Sequence, residues 1–491
     1  MPTLLQHPTS SSYDAVIVGS GPNGFSAGIT LARAGLRVLM VEAQPTLGGG
    51  MRTKELTLPG FHHDVCSAVH PLAIASPFFA SVPLQKFGLE WAHPEVLLAH
   101  PLDDGSAGVM LKDIDATAAL LPGKDAKAYR QLFGGLKRSV EILLPDLLAP
   151  LLKFPRHPFR MAMFGLTGMR SAAGLAQCEF ASDAGQAMFG GHAAHSILPL
   201  DKKFTASVGL MLATVGHMVG WPVAVGGSQS LANALGRYFQ ALGGEMVTGL
   251  KVEDLESLPK AKAYLFDTSP RGLISICGHL FPNRYLRDLQ QFRYGPGVFK
   301  LDLALSGPIP WTNEHCRKAG TVHVGGKLTE LMASEEACWE GRVEERPFVL
   351  VAQQSIPDST RAPAGQHTCW AYCHTPPHFE GDLTETILRQ IERFAPGFRD
   401  LILATHVLKP RDLAAYNPNY VGGDIIGGVQ DLWQMLKRPV LSRDPYATPL
   451  KNIFLCSSST PPGGGVHGMC GYHAARSALH RVFGLTNILE S

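Results

Sequence analysis

Residues 13–43, YDAVIVGSGPNGFSAGITLARAGLRVLMVEA, decide the fold of this chain. The apolar run DAVIVG indicates a buried strand, Gly24 to Ala34 is typical of a helix, and RVLMVE indicates a second strand. Three glycines with the spacing G-x-G-x-x-G, at 19, 21 and 24, lie between the first strand and the helix. This strand–loop–helix–strand unit predicts a doubly wound α/β domain with a dinucleotide site.

Each part of this loop has a physical role. Gly19 allows the tight turn after the strand, Gly21 lets the backbone approach a pyrophosphate, and Gly24 allows close packing of helix and strand. The helix N-terminus then faces the anion. Glu42 ends the second strand, where a carboxylate can accept hydrogen bonds from a ribose. The unit therefore predicts these dinucleotide-binding residues: Gly19, Ser20, Gly21, Pro22, Asn23, Gly24, Glu42 and Ala43.

Two further glycine clusters lie outside this unit. LGGGMRTKELTLPGF, residues 47–61, follows it closely. STPPGGGVHG, residues 459–468, carries a second G-x-G-x-x-G, between the apolar run NIFLC and a predicted helix over 469–483. It is either an independent NAD(P) site or the other half of the first site. The independent site is the weaker interpretation, because no strand and no acidic residue follow Gly468 in a second βαβ unit.

Four blocks of the chain together resemble the carotenoid (phytoene) desaturase-like branch of the flavin amine oxidase superfamily. They are residues 14–43, LGGGMRTKELTLPGFHHDVCSAVHPL (47–72), VGGSQSLANALGRYFQALGG…KVEDL (225–255) and NIFLCSSSTPPGGGVHGMCGYHAARSAL (452–479). The second and fourth are most similar to the subgroup of pyridine nucleotide-disulfide oxidoreductase domain-containing protein 2. The resemblance implies FAD as cofactor and an α/β fold. A Rossmann-like FAD-binding domain of the glutathione reductase type would be interleaved with a mixed-sheet plus helical substrate domain.

The resemblance also implies which residues contact FAD. The C-terminal glycine loop would return to the same flavin as the first loop, and Val252 would present its backbone to the adenine. Beyond the first loop, the implied cofactor-binding residues are Gly49, Gly50, Met51, Arg52, Val252, Thr460, Gly465, Val466 and His467.

The chain departs from the family pattern at several positions. Gly50 stands where the second block usually has an arginine, and Arg52 lies two positions later. His467 stands where the desaturases usually have proline. Ser458 stands where amine oxidases carry a glutamate, which separates the chain from them. The link after residue 252 is short, so we expect the usual β-hairpin there to be trimmed.

The pattern along the chain predicts five segments. Residues 13–73, 222–290 and 411–485 would form three parts of the FAD-binding domain. Residues 74–221 would form a helical substrate or cap region. Residues 291–410 would form the sheet of the substrate domain, whose strand GVFKLDLAL alternates strictly.

FAD accepts a hydride, so the protein must place a substrate C–H bond beside it and exclude water. An extended hydrophobic substrate, polyene or isoprenoid-like, needs an apolar tunnel more than a strong base. To accept the second proton we predict His467, then His70 and Asp64, and we predict Tyr420 as a substrate contact. Oxygen or a quinone would accept the electrons. The alternatives are a flavin amine oxidase, a redox-neutral polyene isomerase and a non-catalytic FAD-bound interaction protein.

Composition and motifs argue against several other classes. The net charge of +2 gives no reason to expect a nucleic-acid partner. His192 and His195 form an H-x-x-H without a third ligand, so we expect no metal site. Ser457 to Ser459 lack the G-x-S-x-G elbow of serine hydrolases. The sequence does not indicate the oligomeric state.

Cysteine usage and two apolar segments bear on location. Nine cysteines, an odd number, do not suggest a disulfide framework, so we expect a reducing, cytoplasmic compartment. The uncharged run 204–225 is long enough to span a bilayer, but its glycines and proline favour a buried helix or pocket wall. Residues 136–164 mix leucines and phenylalanines with basic residues, and four prolines forbid one long helix. They would form either helical packing with a solvated basic edge or a peripheral membrane contact.

Overall fold

The computed structural model describes residues 1–486, and its first unit is built on a parallel five-stranded sheet. The quoted stretch forms the centre of this sheet, as β1 (Ser12–Val18), α1 (Pro22–Arg33) and β2 (Val38–Val41). The other strands come from distant segments: β9 (Glu245–Val247), β10 (Lys260–Phe266) and β16 (Ile453–Leu455). The strand order, β16-β10-β1-β2-β9, is that of a doubly wound sheet.

Helices cover both faces of the parallel sheet. On one face α1 packs with α10 (Ser228–Ala241) and α18 (Met469–Phe483). The other face is covered by α11 (Pro270–Cys277) and α12 (Asn283–Gln290). Because the central strands are buried on both faces, their sequences are nearly continuous apolar runs.

The second unit is a mixed seven-stranded sheet. Its strands are β6 (Val96–Pro101), β7 (Ala107–Met110), β11 (Gly297–Leu305), β12 (Ala319–Val324), β13 (Val349–Ala352), β14 (His367–Thr375) and β15 (Ile402–Leu408). They lie in the order β15-β11-β14-β13-β12-β6-β7, and all neighbours are antiparallel except β12 and β6. One face of β11 packs into an apolar core, as its strict alternation predicts, with Phe299, Leu301, Leu303 and Leu305.

A helical region follows β7. Its helices are α4 (Ile114–Ala119), α5 (Asp125–Leu147), α6 (Pro158–Gly168), α7 (Ala172–Glu179), α8 (Asp183–Ala194) and α9 (Thr205–Val219). α9 contains most of the uncharged run 204–225 and is largely buried. Within residues 1–486, no helix combines the length and the apolar character that crossing a membrane requires.

Two features of this region differ from the prediction. Residues 96–110 fall in the segment expected to be helical, but they form β6 and β7, because β6 pairs in parallel with β12 and joins the mixed sheet. Pro145 lies within the last turn of α5. Pro150 and Pro155 fall between α5 and α6, and Pro158 begins α6, where its fixed φ is tolerated. The prolines therefore produce one break in this region.

The remaining elements are short and mostly close loops around the two sheets. The strands are β3 (Thr53–Glu55), β4 (His62–Asp64), β5 (Trp91–Ala92) and β8 (Val223–Ala224). The helices are α2 (Pro71–Ala75), α3 (Pro77–Ala80), α13 (Glu314–Lys318), α14 (Leu328–Trp339), α15 (Thr384–Glu392), α16 (Pro410–Tyr416) and α17 (Leu432–Leu436). Single 3-10 turns occur at Leu84–Phe87, Gly278–Leu280, Ser359–Arg361, Phe398–Leu401 and Val421–Gly423.

Candidate functional site

A cavity of about 760 Å³ lies between the parallel sheet and the mixed sheet. All five predicted segments contribute to its wall, for example Gly19, Leu212, Val252, Trp370 and Tyr420. Ligand cavities in proteins commonly measure roughly 300–1,000 Å³. In doubly wound folds they lie at the carboxyl ends of the parallel strands, as this one does. The cavity is therefore the candidate active site.

The first G-x-G-x-x-G loop forms part of the cavity wall. Gly19 has a φ of 103°, a conformation that L side chains rarely adopt. A Cβ at Gly21 would lie 2.5 Å from Oδ2 of Asp267, and a Cβ at Gly24 would lie 2.1 Å from the carbonyl oxygen of Gly19. Positions 19 and 24 therefore require glycine, and a side chain at Gly21 would displace the carboxyl group of Asp267. The loop brings the N-terminus of α1 to the cavity.

Asp267, directly after β10, places a carboxyl group at this helix N-terminus. Its Oδ2 accepts a hydrogen bond from the amide of Gly24 at 2.9 Å. Burial raises the pKa of Asp267 to about 7, assisted by the charge of Glu42 and opposed by the amide hydrogen bonds of Gly24 and Gly21. Asp267 therefore titrates near neutral pH beside the expected pyrophosphate position.

Glu42 lines the cavity and is fixed by its neighbours. Its Oε2 accepts hydrogen bonds from the amide and the hydroxyl of Ser20, at 3.0 and 2.5 Å, and its Oε1 lies 3.1 Å from the guanidinium of Arg52. Arg52 also donates to the carbonyl of Gly49 at 3.1 Å. Arg52 thus ties the glycine cluster to the carboxylate of Glu42, although Gly50 occupies the position at which the family usually has arginine.

The C-terminal glycine loop reaches the same cavity. β16 pairs with β10, and α18 packs so closely on α1 that a Cβ at Gly471 would lie 1.8 Å from the carbonyl oxygen of Asn23. This packing places Gly465 and Val466 in the wall of the cavity that Gly21 also lines. The motif at 463–468 is therefore the second half of one site.

Most of the predicted cofactor-binding residues line the cavity. They are Gly19, Ser20, Gly21, Pro22, Asn23, Glu42, Ala43, Gly49, Gly50, Arg52, Val252, Gly465 and Val466. The buried residues Gly24, Met51, Thr460 and His467 lie behind this wall. Tyr420, the predicted substrate contact, also lines the cavity, and its hydroxyl lies 2.7 Å from where a Cβ of Gly50 would be.

His467, the first residue predicted to accept a proton, is engaged within its own loop. Its Nδ1 accepts a hydrogen bond from the amide of Met469 at 3.0 Å. Its Nε2 lies 3.2 Å from the carbonyl oxygen of Gly463 and donates to it. Burial lowers the pKa of His467 to about 4. The geometry makes His467 a cap of α18, and a catalytic role for it stays a prediction.

Asp64 and His70 also hold the protein's own structure. Asp64 is ion-paired with buried Arg361 and accepts a hydrogen bond from the amide of Ser228 at 2.8 Å. Burial would raise the pKa of Asp64, but the charge of Arg361 and these hydrogen bonds hold it below its usual value. Nε2 of His70 lies 2.9 Å from the hydroxyl of Ser228, and its Nδ1 is buried without a partner in the part of the chain described. Their catalytic roles stay predictions.

Apolar and aromatic side chains form the part of the wall contributed by α2, the helical region and the mixed sheet. Leu212 and Trp221 lie in the run 204–225, for which the sequence favours a buried helix or pocket wall. The side chains from the mixed sheet were missed, because they come from strands far apart in the chain. The rings of Trp370 and Tyr372 have centroids 5.0 Å apart and planes at 81°. Within residues 1–486, the carboxylates that line the cavity are Glu42 and Asp267, both in the loops of the parallel sheet. The apolar wall comprises Leu72, Leu212, Trp221, Leu350, Trp370 and Tyr372.

His195, for which the sequence suggests only a weak metal-ligand pattern, lies in this apolar wall at the end of α8. Its Nε2 is 3.1 Å from Nε2 of His323 on β12, so one ring donates and the other accepts. Nδ1 of His195 is then the ring nitrogen available to a ligand. Burial, with the neighbouring His192 and His374, lowers the pKa of His195 to about 3, so the ring is neutral at physiological pH.

A buried ion pair behind the aromatic wall was also missed. Nζ of Lys300 donates to both carboxylate oxygens of Asp302, at 2.5 and 2.6 Å, and lies 5.5 Å from the ring centre of Trp370. Burial lowers the pKa of Lys300, opposed by the charge of Asp302. Two charged residues at alternate positions of an otherwise apolar strand were a signal that could have identified this face of β11.

The residues around the glycine loops fit FAD. The N-terminus of α1 suits a pyrophosphate, and the carboxylate of Glu42 suits ribose hydroxyls. Oδ1 of Asn23, a residue of the wall, is buried without a hydrogen-bond partner in residues 1–486. Gly49 and Gly50 keep the neighbouring wall free of side chains. These groups would hold the pyrophosphate and ribose, and the Gly465–Val466 segment would contact the flavin.

Comparisons with known sequences agree with a dinucleotide site at the first glycine loop. Residues 17–77 match the NAD(P)-binding Rossmann-like domain family. Pyridine nucleotide-disulfide oxidoreductase domain-containing protein 2 of Rattus norvegicus is 23% identical over 555 aligned residues, covering 96% of this chain and 93% of that protein. A limonene dehydrogenase subunit of Castellaniella defragrans is 30% identical over 137 residues, covering 27% of this chain and 24% of that protein. The predicted relationship to the first of these proteins is confirmed.

Solved structures share the fold. Putrescine oxidase bound to putrescine has a TM-score of 0.61 at 18% identity, covering 95% of this chain and 98% of that one. Cyclohexylamine oxidase from Brevibacterium oxydans has a TM-score of 0.56 at 14% identity, covering 98% and 100%. At these identities the likeness shows the fold, so the predicted α/β fold class is confirmed. Taken with the sequence relationship and the cavity, it confirms the prediction of an FAD-dependent oxidoreductase with FAD as its cofactor.

Proposed function

We propose that this chain removes a hydride from a carbon atom of an extended hydrophobic substrate, polyene or isoprenoid-like. The observation that carries the proposal is the shared cavity, in which dinucleotide-binding loops adjoin an apolar wall. An apolar wall without a carboxylate suits a neutral hydrocarbon chain. The partial similarity to the limonene dehydrogenase of Castellaniella defragrans supports this substrate class, because limonene is an isoprenoid hydrocarbon.

The protein would bind and orient both partners of the reaction. FAD, when bound, supplies the hydride acceptor. Arg52 and Glu42 fix the loops that hold it, and Leu212, Trp221 and Trp370 would exclude water from the substrate. Water exclusion matters because the carbon that loses the hydride becomes electron-deficient and reactive.

His195 would accept the proton that completes the reaction. As the hydride leaves one carbon, the adjacent C–H bond becomes acidic, and in the same step its electron pair forms the new C=C bond. The proton passes to Nδ1 of His195, and His323 stabilises the resulting imidazolium at Nε2. The low pKa of His195 keeps the ring neutral at neutral pH, and with its hydrogen on Nε2, donated to His323, the lone pair of Nδ1 is free. Oxygen or a quinone would then take the electrons from the reduced enzyme.

A second candidate function is the oxidation of an amine. The perpendicular rings of Trp370 and Tyr372 in the wall resemble the aromatic cage that an amine oxidase would need. Two structural neighbours are named as oxidases of putrescine and cyclohexylamine. Ser458, in place of the glutamate of amine oxidases, and the uncharged apolar wall favour the first candidate.

The test is the visible spectrum of the purified protein before and after anaerobic addition of a C40 polyene precursor in detergent. A primary amine and detergent alone are added to parallel samples. We expect bound-flavin bands that bleach with the polyene only. Bleaching by the amine alone would replace the proposal with an amine oxidase. Flavin bands that neither compound bleaches would favour the isomerase or the FAD-bound interaction protein. Absence of flavin, even after FAD is added back, would contradict the cofactor.

A further inference from the structure

The segment between α5 and α7 carries an exposed apolar surface that the proposed function does not use. Exposed hydrophobic residues that occur singly are ordinary, but a group of them on one segment marks an interaction surface. Phe154 is 81% exposed and Phe159 is 88% exposed. We define the apolar surface by seven exposed residues within 151–169: Leu151, Leu152, Phe154, Phe159, Met163, Leu166 and Met169.

α6, within this surface, is apolar on two sides. Phe164 and Gly168 are buried, and a Cβ at Gly168 would lie 3.3 Å from Cβ of Ser207 on α9, so this side packs on the protein. The exposed side carries Phe159, Met163 and Leu166 at the spacing i, i+4, i+7. A surface helix normally presents polar residues to water. The outer stripe of α6 therefore requires an apolar environment of its own.

Basic residues lie among the apolar residues of this surface. Lys153, Arg156 and Arg160 are exposed between its apolar residues, and in residues 1–486 they have no ion-pair partner. No acidic residue occurs from position 147 to position 178, although the whole chain has a net charge of only +2. Lysine and arginine stems can lie along apolar surface while their charged ends reach anionic groups.

We propose that the apolar surface docks on an anionic lipid bilayer, with α6 lying in the interface. Protruding Phe, Leu and Met side chains combined with a basic border and no acid are typical of an interfacial helix. A second copy of the chain is a poorer occupant. In a symmetric dimer the basic residues of one copy would face the same basic residues of the other copy, which is electrostatically unfavourable.

The apolar surface lies close to the cavity. α6 packs on α9, and Leu212 of α9 lines the cavity. One helix therefore separates the proposed bilayer contact from the apolar wall. A hydrophobic substrate held in lipid would enter the protein beside that helix. The docking proposal itself does not depend on which substrate the enzyme uses.

The test is flotation of the FAD-loaded full chain with vesicles of phosphatidylcholine alone or of phosphatidylcholine and phosphatidylglycerol. We expect binding to the anionic vesicles that weakens at high salt. The variant Phe159→Gln/Met163→Gln/Leu166→Gln should reduce the bound fraction about tenfold or more while its flavin spectrum is unchanged. The control, Trp433→Gln/Leu441→Gln, removes exposed hydrophobic side chains elsewhere and should bind as the wild type does.

Three results would overturn the proposal. The first is no binding to anionic vesicles, and the second is full binding by the triple variant. The third is a lipid-free dimer, measured by light scattering, that only the triple variant dissociates, since this would assign the surface to a second copy. An intact flavin spectrum excludes unfolding as the cause. Flotation requires no turnover, so its outcome is separate from that of the proposed oxidation.

Discussion

Asp267 is the residue whose protonation links the site to pH. Burial raises its pKa from 3.8 to about 7, while its Oδ2 accepts the hydrogen bond of the Gly24 amide. Between these two values the folded chain holds a proton that the unfolded chain has lost. Unfolding therefore releases a proton, and stability falls as pH rises through this window. We expect the wild type to lose about 2–3 kcal/mol of unfolding free energy between about pH 5 and pH 8, relative to Asp267→Asn.

Urea unfolding of both proteins across this pH range measures the effect. The difference between their stabilities should change from about pH 4 to about pH 7 and be flat well above pH 7. Asp288→Asn, an exposed change on α12, is the control and should run parallel to the wild type. Parallel curves for Asp267→Asn as well would show that this carboxyl group titrates as an ordinary aspartate.

His195 is the residue on which the proposed proton transfer depends. Replacement by Gln should slow anaerobic flavin reduction roughly 100-fold or more, because a positioned base contributes about that factor. FAD binding and the flavin spectrum should not change. His323→Gln should have a smaller effect, since His323 acts through His195. Stopped-flow spectroscopy with the polyene substrate makes the measurement.

His367→Gln is the control for this series, because His367 lies on β14 outside the cavity wall and should not affect reduction. Reduction at the wild-type rate by His195→Gln would remove the proton-transfer role from His195. His70, which also lines the cavity, would then be the next candidate for the base.

At the residue scale, residues held at a fixed local spacing could be predicted from the sequence, whereas side chains that meet only in the fold could not. Gly19, Gly21 and Glu42 could be identified because a strand, a loop and a helix fix their relative positions within a few dozen residues. The pair of His195 and His323 could not, because the two rings meet across 128 positions of the chain. Burial and contact of that kind depend on how sheets and helices pack, which no short pattern encodes.

At the scale of elements, strong periodicity was the reliable signal. α18 begins and ends at the predicted residues, and β11 has the predicted apolar face. The sequence pattern predicts a helical region where β6 lies, because a short apolar run is ambiguous until its partner strand is known. The four prolines of 136–164 do prevent one long helix, but Pro145 lies in the last turn of α5 and leaves most of that helix intact.

The packing of α1 on α18 is the element contact that joins the two glycine loops. Gly471→Ala would place a methyl group 1.8 Å from the carbonyl oxygen of Asn23, so the helices must separate. We expect a loss of about 1–3 kcal/mol of unfolding free energy, or more, together with weaker FAD binding. Urea unfolding and FAD titration measure both effects.

Gly135→Ala in α5 is the matched control for this change. Gly135 also lies within a helix, but it is exposed and has open space around it. Alanine there should stabilise the protein by about 0.4–1 kcal/mol and leave FAD binding unchanged. A variant Gly471→Ala as stable as the wild type would refute the close approach of α1 and α18.

At the scale of the whole molecule, the two sheets are interleaved along the chain. The parallel sheet takes strands from residues 12–41, 245–266 and 453–455, and the mixed sheet takes strands from 96–110 and 297–408. The sequence pattern indicates strands in these segments except 96–110, which falls in the region expected to be helical. The cavity between the sheets could not be predicted, because its wall depends on how the two units pack. Since the chain alternates between the units, we expect neither to unfold alone.

FAD should therefore stabilise the entire molecule. The cavity joins the N-terminal loop, the C-terminal loop and the mixed sheet, so a ligand that fills it binds only the assembled chain. At about 100 times Kd, FAD should add about 2.7 kcal/mol to the free energy of unfolding. Circular dichroism and flavin fluorescence should then report one shared transition. FMN, which offers no adenylate to the Glu42 and Val252 part of the wall, should stabilise less. Flavin release well before the loss of helix signal would instead show that the halves of the cavity separate while the two units stay folded.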